Sequence, residues 1–186
     1  SAEGKGMAFG SVVHRAIEML GKGLPETELE DSIGMLAVEE GLAVAHVGEA
    51  LRVVRDVLSS QLWQRSLRAR RRLFEVPLVL RKRPHEVGVM SDIGDVELEV
   101  AAASAGAKSI NHTYVRGVID FMFEEEDGWV IVDFKTDSVT EEKLQRFIDF
   151  YRPQVQAYAS EWEHTFGYKV KEVGLYFVQI SCYKML

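Results

Sequence analysis

Apolar residues in the first third of the chain recur at three- and four-residue intervals. Phe9, Val12, Val13, Ala16, Ile17 and Leu20 share one helical face, and Gly21 and Gly23 close the segment. Residues 26–40 repeat that period more weakly. Over residues 47–67, Ala50, Leu51, Val54, Val57, Leu58, Leu62 and Leu67 predict one long amphipathic helix. Beyond it the period falls to two. Residues 73–80 alternate as a strand, with Pro77 placing it near a sheet edge. Residues 115–125 and 129–135 predict a hairpin around an Asp127-Gly128 turn. Thr140, followed by Glu141 and Glu142, starts a helix well. Pro153 suits the first turn of a further helix, which carries Val155, Tyr158, Ala159 and Trp162. Residues 173–180 predict a closing strand.

Residues 81–113 break this order. They are poor in large apolar side chains and rich in Gly, Ala, Ser and charge, and read as a flexible insertion. Apart from that stretch, composition is that of a globular domain: 186 residues, 47% apolar and 27% charged, enough for a single domain over residues 1–186. The opening Ser1-Ala2, without methionine, reads as the scar of a cleaved tag on a domain excised from a larger protein. No membrane-length apolar run and no signal-peptide pattern occur, so a cytoplasmic setting is expected. The single cysteine, Cys182, excludes an internal disulfide and a four-cysteine zinc or iron–sulfur site. A net charge of −7 argues against a protein that grips nucleic acid by bulk electrostatics alone. It leaves room for an acidic metal site acting on nucleic acid delivered by another module.

Candidate chemistry sits in the hairpin. Both faces read as buried, yet Asp120, Asp133 and Lys135 interrupt the apolar run. Burying unpaired charge costs several kcal/mol per ion, so something must neutralise these groups. If Asp127-Gly128 is a two-residue loop, Asp120 faces Lys135; a loop at Glu126-Asp127 instead sets Asp120 opposite Asp133. Either register gathers the three side chains within reach of one another. Two carboxylates can hold a hard divalent cation. Such a cation polarises a phosphoryl oxygen and lowers the pKa of a water that the lysine can orient. The alternative is a buried salt bridge from Lys135 to Asp120 or Asp133, with no ligand.

The arrangement Gly117-x-x-Asp120 followed by Asp133-x-Lys135 resembles the PD-(D/E)XK nuclease superfamily. The segments Arg116-Gly117-Val118-Ile119-Asp120, Val132-Asp133-Phe134-Lys135-Thr136-Asp137 and Gln154-x-x-x-Tyr158 are similar to the nuclease domain of RecB and AddA helicase–nucleases. Phe9-Gly10-Ser11-Val12-Val13-His14 resembles that family's first helix, and Phe74-Glu75-Val76-Pro77 its glutamate-bearing strand. The resemblance implies an α/β, restriction-endonuclease-like fold: a small mixed sheet flanked by helices on both faces. It implies a magnesium-dependent deoxyribonuclease of exonuclease type, with manganese able to substitute. His14, Asp120 and Asp133 would hold the metal, joined by the Phe134 carbonyl, and Lys135 would position the attacking water. Glu75 would support the site or pair with an arginine. Gln154 and Tyr158, one helical turn apart, would line the site and contact DNA. Expected partners are single-stranded DNA, a helicase module in the same parent chain that delivers it, and a second subunit, in double-strand-break repair. The rival readings are a free-standing exonuclease or resolvase, and a catalytically silent DNA- or partner-binding scaffold. Arg65, Arg68, Arg70, Arg71 and Arg72, with Arg81, Lys82 and Arg83, are candidates for backbone contacts or simply a solvated face.

Overall fold

Helices α1 (Ala2–Gly21), α2 (Leu29–Glu40), α3 (Val47–Ser59) and α4 (Gln61–Ser66) precede strands β1 (Arg71–Lys82), β2 (Thr113–Glu125) and β3 (Gly128–Lys135). Helix α5 (Glu141–Phe166) then leads to β4 (Val170–Phe177) and β5 (Cys182–Met185). The computed structural model describes residues 2–82 and 113–186, so the expected insertion lies, apart from its ends, outside the described residues. The strands form one sheet in the order β1-β2-β3-β4-β5, with β3 and β4 parallel and the other neighbours antiparallel. Helix α5 supplies the crossover that a parallel pair requires. Among the described residues, no helix is long and apolar enough to cross a membrane.

Two cores sandwich the sheet. On one face Val12, Val13, Ile17, Ile33, Val54 and Trp63 from α1–α4 pack on Phe121, Phe123, Val130, Val132 and Phe134. On the other, Ile148, Val155, Tyr158 and Trp162 of α5 pack on Ile119, Met122, Trp129, Ile131 and Leu175. The expected small mixed sheet with helices on both faces is the observed architecture.

Four local expectations are corrected. The helix expected over 47–67 is two, because Ser60 adopts an extended conformation and its side chain accepts from the Trp63 N–H. A serine cap there satisfies an orphan donor and restarts the helix on a new axis. Pro153 does not start a helix; it lies inside the 26-residue α5. It is exposed, so the carbonyl deprived of its partner faces water. The hairpin turn falls at Glu126-Asp127, with Glu125 paired to Gly128, one residue earlier than the expected Asp127-Gly128. Finally, the segment expected as one closing strand ends at Phe177, turns through Val178–Ile180, and continues as the short β5.

The shifted turn fixes the second of the two registers. Phe121 pairs with Val132, so the next positions along the strands are Asp120 and Asp133. Across the other edge of β2, Phe74 pairs with Phe121 and Val76 with Ile119, leaving Glu75 between them at φ 51°. Residues two apart on a regular strand share a face. Here Phe74 and Phe121 join the α1–α4 core, whereas Ile119 and Val76 join the α5 core. Both strands therefore rotate at Glu75 and Asp120. A left-handed glutamate costs about 1–3 kcal/mol and persists only where surrounding packing enforces it.

Gly117 serves the same region. A Cβ there would sit 2.5 Å from Tyr158 Cε1, so the missing side chain lets the tyrosine lie against β2. Gly117→Ala should displace the Tyr158 ring and lower stability by about 1–3 kcal/mol. A urea titration should show a lower midpoint with an unchanged slope; an unchanged midpoint would mean that Tyr158 has room to move.

Candidate active site

Helix α1 buries Val12, Val13, Ala16 and Ile17 against the sheet, which leaves His14 on its flank above the strand kink. Its Nδ1 lies 3.4 Å from Asp120 Oδ1, with the two side chains 27% and 12% exposed. The other Asp120 oxygen accepts the Phe134 backbone N–H at 2.7 Å. Glu75, turned by its left-handed backbone, completes a cluster: His14, Glu75 and Asp120 each offer one ligand atom, all within 4.8 Å of one another.

Asp133 and Lys135 are two residues apart on β3, so both point toward α5. Lys135 Nζ lies 2.6 Å from Asp133 Oδ2, an ion pair at an angle that leaves this oxygen without a hydrogen-bond partner. Asp133 is buried. The ammonium also donates to Gln154 Oε1 at 3.2 Å and sits 3.8 Å from the centre of the Tyr151 ring. Gln154 Nε2 in turn donates to Tyr158 Oη at 2.9 Å. The structure thus gathers His14, Glu75 and Asp120 as one donor group and sets Asp133, Lys135, Gln154 and Tyr158 beside it. Phe134 enters through its N–H, while its ring packs near Phe121 and Tyr176.

Sequence reasoning missed two neighbours. Tyr151 lies under Lys135 and donates to Asp137 Oδ2 at 3.0 Å. Spacing was the one signal for them, since Tyr151 precedes Gln154 by three positions on one helix.

Charge is out of balance in this cluster. Burial penalises the Asp120 carboxylate, but His14, Lys135 and the Phe134 N–H overcome that and hold its pKa below the ordinary value. Asp133 is pushed up by burial and then by Asp120, which Lys135 offsets only in part. Burial, followed by repulsion from Asp120, raises Glu75 to about 7. Burial pulls His14 down, yet attraction to Asp120, Asp133 and Glu75 outweighs it and carries the imidazole to about 9. Three carboxylates therefore face one histidine and one lysine, and excess negative charge shows itself as retained protons. A bound cation would replace those protons. Convergent oxygen and nitrogen donors with uncompensated charge are what a divalent metal fits.

The arginines proposed for DNA contacts are largely engaged elsewhere. Arg65 forms paired hydrogen bonds to both Glu125 and Glu172, and Arg71 binds Glu124. Arg72 lies over the Trp63 ring at 4.3 Å. Arg68 and Arg70 remain exposed.

The class defined by these features is a restriction-endonuclease-like fold with an acidic, histidine-containing centre and an adjoining lysine. The family model of the PD-(D/E)XK nuclease superfamily matches residues 2–185, and the chain belongs to that superfamily. It is 38% identical over 125 residues to AddA, the ATP-dependent helicase/nuclease, of Carboxydothermus hydrogenoformans, covering 67% of this chain and 9% of the relative. Against the protein of that name from Acetivibrio thermocellus, identity is 29% over 181 residues, or 94% of this chain and 13% of the relative. With the Thermoanaerobacter sp. strain X514 counterpart it is 45% over 62 residues, 33% of this chain and 5% of the relative. The chain thus spans a small fraction of the length of the curated relatives it matches.

These pKa values fix the pH dependence of the metal-free fold. Glu75 is raised to about 7, so its unfavourable ionisation develops as pH climbs from its ordinary value near 4.5 to 7. His14 stabilises the fold fully below its ordinary value of 6.5, and that contribution disappears as pH rises through about 9. Both act in one direction. The melting temperature in EDTA should fall steadily between pH 5 and pH 9, and Glu75→Gln should flatten the acidic half of that fall. A melting temperature that rises over the interval would contradict the charge assignment.

Proposed function

We propose that this chain is the nuclease domain of an AddA/RecB-like helicase–nuclease and hydrolyses DNA phosphodiester bonds with a divalent cation, Mg2+ or Mn2+. The observation that carries the reading is the convergence of His14, Glu75 and Asp120 at one strand kink. Asp133 and the Phe134 carbonyl are further ligand candidates. A cation in that cluster would act as a Lewis acid on a phosphoryl oxygen and lower the pKa of a water.

The chain's own residues do the remaining work. Asp120 is oriented by the Phe134 N–H and kept ionised, ready to act as a ligand rather than as an acid. His14 gives up a proton on binding, since only the neutral imidazole can ligate. Lys135 is steadied by Asp133, Gln154 and Tyr151, and points its ammonium where charge develops on the phosphate. Gln154 and Tyr158 are tied to each other, so one helix places both beside the substrate.

Exonuclease action on single strands, delivered by a helicase module of the parent protein and joined by a second subunit in double-strand-break repair, follows the resemblance and the relatives' printed names. The acidic chain fits that division of labour, because few phosphate contacts are available to hold DNA unaided.

Asp120→Asn and Asp133→Asn should each abolish cleavage of single-stranded DNA with Mg2+ or Mn2+. They should also remove the thermal stabilisation by cation, which for a ligand at about 100 times its Kd amounts to about 2.7 kcal/mol in an intact site. Metal-free stability of Asp133→Asn should be unchanged or slightly higher, because one of two crowded carboxylates is neutralised. A variant destabilised by about 3–5 kcal/mol, beside a wild type that ignores both cations, would leave a structural salt bridge and no metal centre.

A further inference from the structure

The first half of α5 carries a feature that the cleavage chemistry does not use. Lys143, Phe147, Phe150 and Gln154 are spaced four, three and four residues apart, which sets them on one stripe of the helix. Phe150 is 56% exposed, an unusual setting for a phenylalanine in a chain with two well-filled cores. With Lys143, Arg146, Phe147 and Tyr151 it lines a groove of about 580 Å3. The rings are ordered against one another: Phe150 meets Tyr151 edge-on at 4.9 Å, and Phe147 stacks on Tyr151 at 6.4 Å. Acidic neighbours lie elsewhere on the helix. Asp149 is rotated about 100° from Phe150 and accepts from Gln145, and Glu142 lies on that same side.

The groove is continuous with the active site. Tyr151 lines it and also lies under Lys135, and the stripe ends at Gln154, which accepts from Lys135. Phe150 precedes Gln154 by about 6 Å along the helix axis. We propose that this aromatic and basic stripe is a stacking platform for single-stranded nucleic acid. Phe150 takes the face of an unpaired base within a nucleotide or two of the scissile phosphate, while Lys143 and Arg146 hold the flanking phosphates. An exposed aromatic with cations on both sides matches the way single strands are bound without base-specific hydrogen bonds. In a duplex the base faces are covered by stacking, so the platform selects single strands. The inference rests on the nuclease reading of the adjoining site and adds to it the residue that sets strand preference.

The test is a titration in EDTA at low salt, which separates binding from cleavage. Oligothymidylate carrying one 2-aminopurine at successive positions is compared with a blunt duplex of equal length. The wild-type chain should quench the probe at one or two positions. Phe150→Ala should abolish that quench and weaken single-strand binding about fivefold or more, with duplex binding unchanged. Phe150→Trp should restore both signals, and Arg146→Gln should weaken both substrates and lower the salt dependence by about one unit of slope. Because Phe150 is exposed, the alanine variant should melt with the wild type. Wild-type binding by Phe150→Ala, or equal loss for both substrates, would overturn the platform. If wild type cleaves single strands with Mg2+ yet shows no position-specific quench, the stripe faces something other than nucleic acid and the proposal fails alone. If wild type neither cleaves nor binds, the nuclease reading fails and takes the platform with it.

Discussion

A buried carboxylate at the centre of a β-sheet is the constraint on which this molecule depends. Asp120 stands where two cores meet, and its charge is held by His14, Lys135 and one backbone N–H. Those partners are not enough, because Asp133 and Glu75 crowd the same space and have their ionisation pushed upward. The fold accommodates the conflict by rotating β1 and β2 together, at the expense of a left-handed glutamate. Strain and unbalanced charge at one point are stability surrendered for chemistry. The two apolar cores on either side offset that loss.

Much of this was legible in the residues. Helical periodicity located α1 and most of α5, and alternation located β1 to β3. The hairpin's charged interruptions marked Asp120, Asp133 and Lys135 without any geometry. What alternation could not give was the choice of register. Asp-Gly is a strong turn signal, but Gly128 is paired with Glu125 and the loop lies one residue earlier. Nor could strand periodicity foresee the rotation at Glu75, since a strand that changes face reads in sequence as an ordinary alternating run. That rotation is why Glu75 joins His14 and Asp120 while Asp133 turns toward Lys135. Serine in the middle of an apolar helical pattern was the missed sign of the break between α3 and α4. Pro153 misled in the other direction, because an exposed proline can sit within a helix whose solvent side tolerates the lost bond.

Helix α5 links the parts. Its buried face closes the second core, its middle supplies Gln154, Tyr151 and Tyr158 around Lys135, and its exposed flank carries the aromatic stripe. One rigid element therefore relates the path of a strand to the group that acts on it. Gly117 admits Tyr158 to the sheet and fixes the angle at which the helix docks. Packing, rather than loop conformation, sets the geometry of this half of the site.

The central claim is that a divalent cation displaces protons from this overcrowded cluster. Isothermal titration of the chain with Mn2+ at pH 8, repeated in buffers of different ionisation enthalpy, measures that displacement directly. With His14 at about 9 before binding, the account predicts saturable binding with release of about one proton per ion, lost in His14→Asn. Failure to bind Mn2+, or binding with no proton release and no dependence on His14, would contradict it.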